Sequence, residues 1–216
     1  IDPARTRRGA STPSWITRSL DLYHSGADAT VHVVDQRDSP DPGSRRFYFW
    51  VMTENLVISA DCNELDYVQT DNPEAPEIIV DVDLPSATDR LTLEYDRADG
   101  ALAFEGLWYL AHDTVWGPAT VTVHLPTDAA VERYDGEAYA TWLDPHTLVL
   151  TIPAGVSLTP FVVYETASVP ELYETVVTPH LDIHLPSVYE RYNDAVVSML
   201  EHAYSLFSHH SGQDVN

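Results

Sequence analysis

ALAFEGLWYLAHDTVWGPATVTVHLP, running from Ala101 to Pro126, is the stretch on which the fold turns. In its second half Val121, Val123 and Leu125 share one parity, while Thr120, Thr122 and His124 share the other. That period of two is the pattern of a half-buried antiparallel strand. In its first half Leu102, Phe104, Trp108 and Leu110 fall on one parity, and a strand apolar on both sides is usually central in its sheet. The turn-prone His112–Pro118 segment joins the halves. The sequence therefore predicts a ribbon of two long strands at the heart of a sheet.

Similar segments flank it. Trp15–Tyr23, Ala29–Val34, Phe47–Met52, Leu56–Ala60, Ile78–Val82 and Leu91–Tyr95 precede it as predicted strands. Glu137–Trp142, Thr147–Ile152 and Phe161–Glu165 follow. Breaks such as SPDPG at Ser39–Gly43 and the Asp71–Pro76 run separate them. Many short strands with turn signals and almost no helical period predict a mainly β protein, an antiparallel β-sandwich or barrel-like domain over residues 14–167. Residues 1–13 read as a flexible basic arm carrying Arg5, Arg7 and Arg8.

The pattern changes in residues 168–216. Ser168–Glu171 can open a short helix, and Leu181–Leu185 reads as a last strand. Ser187-Val188-Tyr189-Glu190 then has the form of a capping box. Tyr189, Tyr192, Val196, Met199, Ala203 and Leu206 recur at steps of three and four, which predicts an amphipathic C-terminal helix with that stripe buried and Glu201 on the opposite side.

Composition narrows the function. There are 34 acidic residues against 11 basic ones, every one of them Arg, and the net charge is -23. A carboxylate surface without Lys reads as that of a halophilic protein, for a high-salt cytoplasm, a cell surface or a virion in brine; the alternative is a dedicated acidic binding surface, which the spread of the acids along the whole chain disfavours. At molar salt the Debye length falls to about 3 Å and self-repulsion is largely screened. The charge argues against nucleic acid or anionic membrane as partner, and no apolar run reaches the length of a membrane span. Cys62 stands alone, so no internal disulfide forms. The opening IDPARTRRGA lacks an initiator Met and an apolar signal core, and reads as a cloning remnant or a processed end.

Two constellations are candidates for chemistry. In a strand, His180, Asp182 and His184 project from one face and could ligate zinc given a further ligand; polar residues on a half-exposed strand are the plainer reading, and no cofactor or stoichiometric zinc is expected. Trp108, Tyr109 and Trp116 could form an aromatic platform for a carbohydrate or peptide, although large aromatics in strands more often serve the core. His209-His210 reads as tail. A Gly-rich phosphate loop, a nucleophile elbow and His-Glu-x-x-His are all absent from the sequence.

The order RRFYFWV (Arg45–Val51), NLVISA (Asn55–Ala60), LTLEY (Leu91–Tyr95), GLWYL (Gly106–Leu110) and VTVHLP (Val121–Pro126) resembles the N-terminal saddle-shaped β domain of aminopeptidase-N-like zinc peptidases. LDIHLPSVYERYNDAVVSMLEHAYSLF (Leu181–Phe207) is similar to the strand and helix that lead into that family's catalytic domain, so the resemblance covers residues 29–210. The family's zinc-binding His-Glu-x-x-His, its downstream Glu and its Gly-x-Met-Glu-Asn signature are missing, and no catalytic residue transfers. The first expectation is a non-enzymatic structural or interaction module with a protein partner or a second copy of itself. The alternatives are the scaffold domain of a split or truncated zinc peptidase, and a subunit of a surface layer or virion shell.

Overall fold

The computed structural model describes residues 16–38, 42–72, 77–85, 88–187 and 193–211. The basic arm, Tyr189, Tyr192 and most of the capping box lie outside them. Four strands come first, β1 (Arg18–His24), β2 (Val31–Asp38), β3 (Gly43–Trp50) and β4 (Thr53–Ala60). The short β5 (Asn63–Glu64) and β6 (Tyr67–Asp71) lead to β7 (Glu77–Leu84) and β8 (Arg90–Arg97). The stretch from Ala101 holds β9 (Ala101–Phe104), β10 (Leu107–Ala111), β11 (Val115–Trp116) and β12 (Ala119–His124). Then come β13 (Ala130–Tyr134), β14 (Ala140–Asp144), β15 (Thr147–Ile152), β16 (Ser157–Leu158) and β17 (Phe161–Glu165). A hairpin of β18 (Tyr173–Val177) and β19 (Asp182–Pro186) precedes the helix α1 (Asn193–Ser211).

The mainly β fold class is as the sequence predicted. An eight-stranded sheet runs in the order β14-β15-β12-β1-β2-β8-β4-β5, beside a four-stranded sheet β13-β17-β10-β9 and a three-stranded sheet β3-β7-β6. Among the described residues every ladder is antiparallel except β1 with β12, where Leu20 lies beside Val121 and Leu22 beside Val123. No sheet closes into a barrel among the described residues. Leu20, Leu22, Val33, Leu93, Val121, Val123 and Leu150 from one face of the large sheet join Phe47, Val80, Trp108 and Tyr164 of the smaller sheets in one core. The smaller sheets thus cover that face, the arrangement of a sandwich.

The ribbon differs from expectation. Glu105 and Gly106 both have left-handed backbone, with φ of 51° and 79°. They form the two-residue turn that a tight hairpin needs. Ala101–Ala111 is therefore a hairpin, with Ala103 opposite Trp108. Facing parity crosses over at the turn, so Ala101 and Ala103 enter the core while Phe104 is exposed. β10 then bonds to β17, and β12 goes to the other sheet between β1 and β15.

The C-terminal part also differs in two respects. Ser168–Glu171 has no helix; Val169 and Leu172 instead pack at the margin of the core. In α1, Glu201 faces the β18–β19 hairpin, accepting from the Thr178 hydroxyl and pairing with His180 Nδ1 at 2.8 Å. Tyr204 stacks on His180, their ring centroids 4.6 Å apart. Met199, placed on the buried stripe by the sequence pattern, is 62% exposed. Of the described residues of that stripe, Val196 and Ala203 are half-buried, whereas Met199 and Leu206 are open to water on a helix docked through polar and aromatic contacts.

Candidate functional site

Alternation, the rule that builds the core, also builds a polar cluster inside it. Along β2, Val31, Val33, Asp35 and Arg37 share the inward face, and Asp35 lies opposite both Leu20 and Leu93. A buried carboxylate in an apolar row must be paired or pay its full desolvation. Arg18, at the start of β1, donates to it through Nε at 2.8 Å and Nη2 at 2.6 Å. Arg37 donates through Nε at 3.2 Å and Nη2 at 2.8 Å. Burial alone would raise the pKa of Asp35 and favour its neutral form, but the charges of Arg37 and Arg18 reverse this and hold the carboxyl well below its usual range.

The neighbouring strand continues the cluster. On β8, Tyr95 and Arg97 share the inward parity of Leu91 and Leu93. Arg97 donates through Nε and Nη2 to Asp99, at 3.1–3.2 Å. Its Nη1 lies 3.5 Å from Asp113, whose side chain is 72% exposed. His112 is buried, and its Nδ1 lies 3.1 Å from the carbonyl of Asp113, an acceptor only. Nδ1 therefore carries the proton, and Nε2 accepts from the Tyr95 hydroxyl at 3.2 Å. Burial pushes the His112 imidazole down to about 4, so it is neutral at pH 7. Burial likewise pushes the Tyr95 phenol up.

These groups, Asp99 apart, line a cavity of about 200 Å³ between β3 and the large sheet, with Phe47, Phe49, Trp50 and Thr53 as further walls. Arg37 lies over the Phe47 ring, 5.2 Å from its centroid, and Phe49 meets Tyr95 edge to face at 5.2 Å. The cavity can hold a small polar ligand with guanidinium, indole and hydroxyl donors around it. A wider hollow of about 680 Å³ near Asp61 and Cys62 is less provided for. There the Asp61 carboxylate is already used, accepting from the backbone of Asp89 and Arg90.

A second buried polar pair sits under β10. His24 Nε2 lies 2.6 Å from the Asp28 carbonyl and so is the protonated nitrogen, while Nδ1 accepts from the Tyr164 hydroxyl. Trp108 packs edge-on against His24 and donates its indole N–H to Thr166 at 3.3 Å. Among the residues singled out from sequence, Trp108 thus lies fully in the core, Tyr109 projects from the other face of β10 toward Phe161, and the exposed Trp116 stands on the separate β11–β16 pair. His180 lies in the turn before β19 and pairs with Glu201, while His184 Nδ1 lies 3.0 Å from the Thr175 hydroxyl. Among the described residues, no group of three or more His, Cys, Asp or Glu is placed to hold a metal.

Arg18, Asp35, Arg37, Tyr95, Arg97 and His112 were all missed from sequence. The signal was present: RSLDL, VHVVDQR and LTLEYDR each put a charged residue on the parity of their apolar ones.

No known family model matches the chain, and neither does any curated protein. Among solved structures, yeast LTA4 hydrolase in complex with bestatin matches at 12% identity and a TM-score of 0.48, over 85% of this chain and 34% of that one. The M1 zinc metallopeptidase from Deinococcus radiodurans matches at 18% identity and a TM-score of 0.41, over 79% of this chain and 46% of that one. The chain therefore spans less than half the length of these proteins. The second is of the peptidase class that the strand order resembles, and the resemblance is weak in both.

Proposed function

We propose that this chain is a non-enzymatic interaction module of β architecture, adapted to high salt. The observation that carries the reading is the outer face of α1. Met199 is 62% exposed and Phe207 is 72% exposed, with Leu206 also open to water. In a chain of this charge, apolar side chains grouped on one helix are unusual surface, and helix faces of this kind serve as protein contacts. Molar salt supports the same use, because it screens the repulsion between two acidic surfaces.

Multi-angle light scattering in molar KCl tests this with the parent and a Met199→Glu, Phe207→Glu double variant. Concentration-dependent assembly by the parent, absent in the variant, is the expected result. A parent that remains monomeric across the range rejects self-association. The second reading, a scaffold domain of a split or truncated zinc peptidase, is favoured by the same helix because Leu181–Phe207 resembles the family's passage into its catalytic domain. Peptidase activity on adding a separately produced catalytic domain would support it.

A further inference from the structure

The cavity behind β3 holds donors that the protein itself does not use. Trp50 Nε1 and Thr53 Oγ1 are buried without a hydrogen-bond partner among the described residues, and both residues line the cavity. Buried donors without acceptors are costly and rare, so two in one cavity call for an acceptor from outside. The charge points the same way. Three guanidiniums, of Arg18, Arg37 and Arg97, line the space, against the two lining carboxylates of Asp35 and Asp113, while Asp99 pairs with Arg97 from outside the lining. Of these two, Asp113 is largely exposed and lies 3.5 Å from Arg97 Nη1, a longer contact than those within the buried pairs.

We propose that this cavity binds a carboxylate, whose oxygens accept from Trp50 Nε1, Thr53 Oγ1 and Arg97. A planar two-oxygen anion suits a guanidinium edge flanked by two single donors. About 200 Å³ is room for several water volumes, which admits a small acid or the end of a chain but no large ligand. The site is separate from the α1 surface and does not depend on it.

Calorimetric titration at constant ionic strength tests the proposal, using acetate, inorganic phosphate and a pentaglycine peptide with either a free or an amidated C-terminus. Parent, Trp50→Phe and Thr53→Val are compared, with circular dichroism confirming that each is folded; either variant suffices if the other fails to fold. Saturable binding of acetate by the parent assigns a free small acid. Saturation only by the acid-ended peptide assigns the end of a partner chain. Either result, weakened about tenfold in each variant, supports the site. Binding of equal strength in parent and variants overturns it, as does the absence of saturation by either carboxylate probe. Saturation by inorganic phosphate alone overturns the carboxylate assignment.

Discussion

Replacing Asp35 by Asn tests whether the buried cluster is an integral part of the core. The side chain keeps its volume and one acceptor oxygen but loses the charge that two guanidiniums share. Four hydrogen bonds converge on the carboxylate, at 2.6–3.2 Å. Removing one partner of a buried ion pair costs about 3–5 kcal/mol, because the remaining charge is left uncompensated. Here the lower end is expected, since the side chains of Arg18 and Arg37 retain 19% and 14% exposure and can shift toward water. For a chain of this size each kcal/mol moves the melting temperature by roughly 2–4 °C, so Asp35→Asn should melt about 6–12 °C below the parent. Thermal melts by circular dichroism in molar KCl measure it, and the loss should persist there because buried pairs are weakly screened. The triple variant Arg18→Leu, Asp35→Leu, Arg37→Met should recover much of the loss, since no charge is then stranded. An Asp35→Asn protein within about 1 kcal/mol of the parent, well under the cost of a broken buried pair, would refute the reasoning.

The remaining predictions concern pH, salt, the helix and metal. His112 titrates near 4 when folded and about 6.5 when unfolded; the unfolded chain binds the extra proton, so stability falls as pH drops from 7 to 5, by about 2 kcal/mol. His24, pushed down by burial, adds in the same direction, and an unchanged melting temperature between pH 7 and pH 5 contradicts both. Asp35, held low by its arginines, acts in a separate window: its stabilisation is full above about pH 4 and is lost only as pH falls below that. With a net charge of -23, the melting temperature should rise from 0.1 M to molar KCl as the Debye length contracts from about 10 Å to about 3 Å; equal melting at both would end the halophile reading. Glu201→Ala should lower the melting temperature more than Met199→Ala, which at an exposed site should stay within about 0.5 kcal/mol of the parent. Elemental analysis of untagged protein should find no zinc; one zinc per chain, lost in His184→Ala, would show that the β18–β19 hairpin holds a metal.

How far the sequence reached depended on the kind of signal each element carries. Alternation is local, and it sufficed for β15 (Thr147–Ile152) and β17 (Phe161–Glu165), whose bounds agree with the segments read from sequence. Charge and the absence of Lys are properties of the chain itself, and they stand without a fold. Period alone could not tell a long strand from a hairpin, because the Glu105-Gly106 turn is two residues long and its left-handed backbone becomes visible only in the structure. Nor could it reveal that β12 lies parallel to β1, since side chains alternate identically in parallel and antiparallel ladders. Helical period placed α1 along the chain, but rotation about its axis was set by His180, Thr178 and Glu201, three residues brought together from the turn and the helix. The cavity was beyond local reading for the same reason. Asp35 and Arg37 reveal their parity in sequence, yet only the stacking of β1, β2, β8 and β3 decides that Arg18, Arg97, His112 and Trp50 converge on one space. Sequence determines what each residue can face, and tertiary packing decides what it meets there, because burial turns a charged residue on an apolar parity from an irregularity into a paired site.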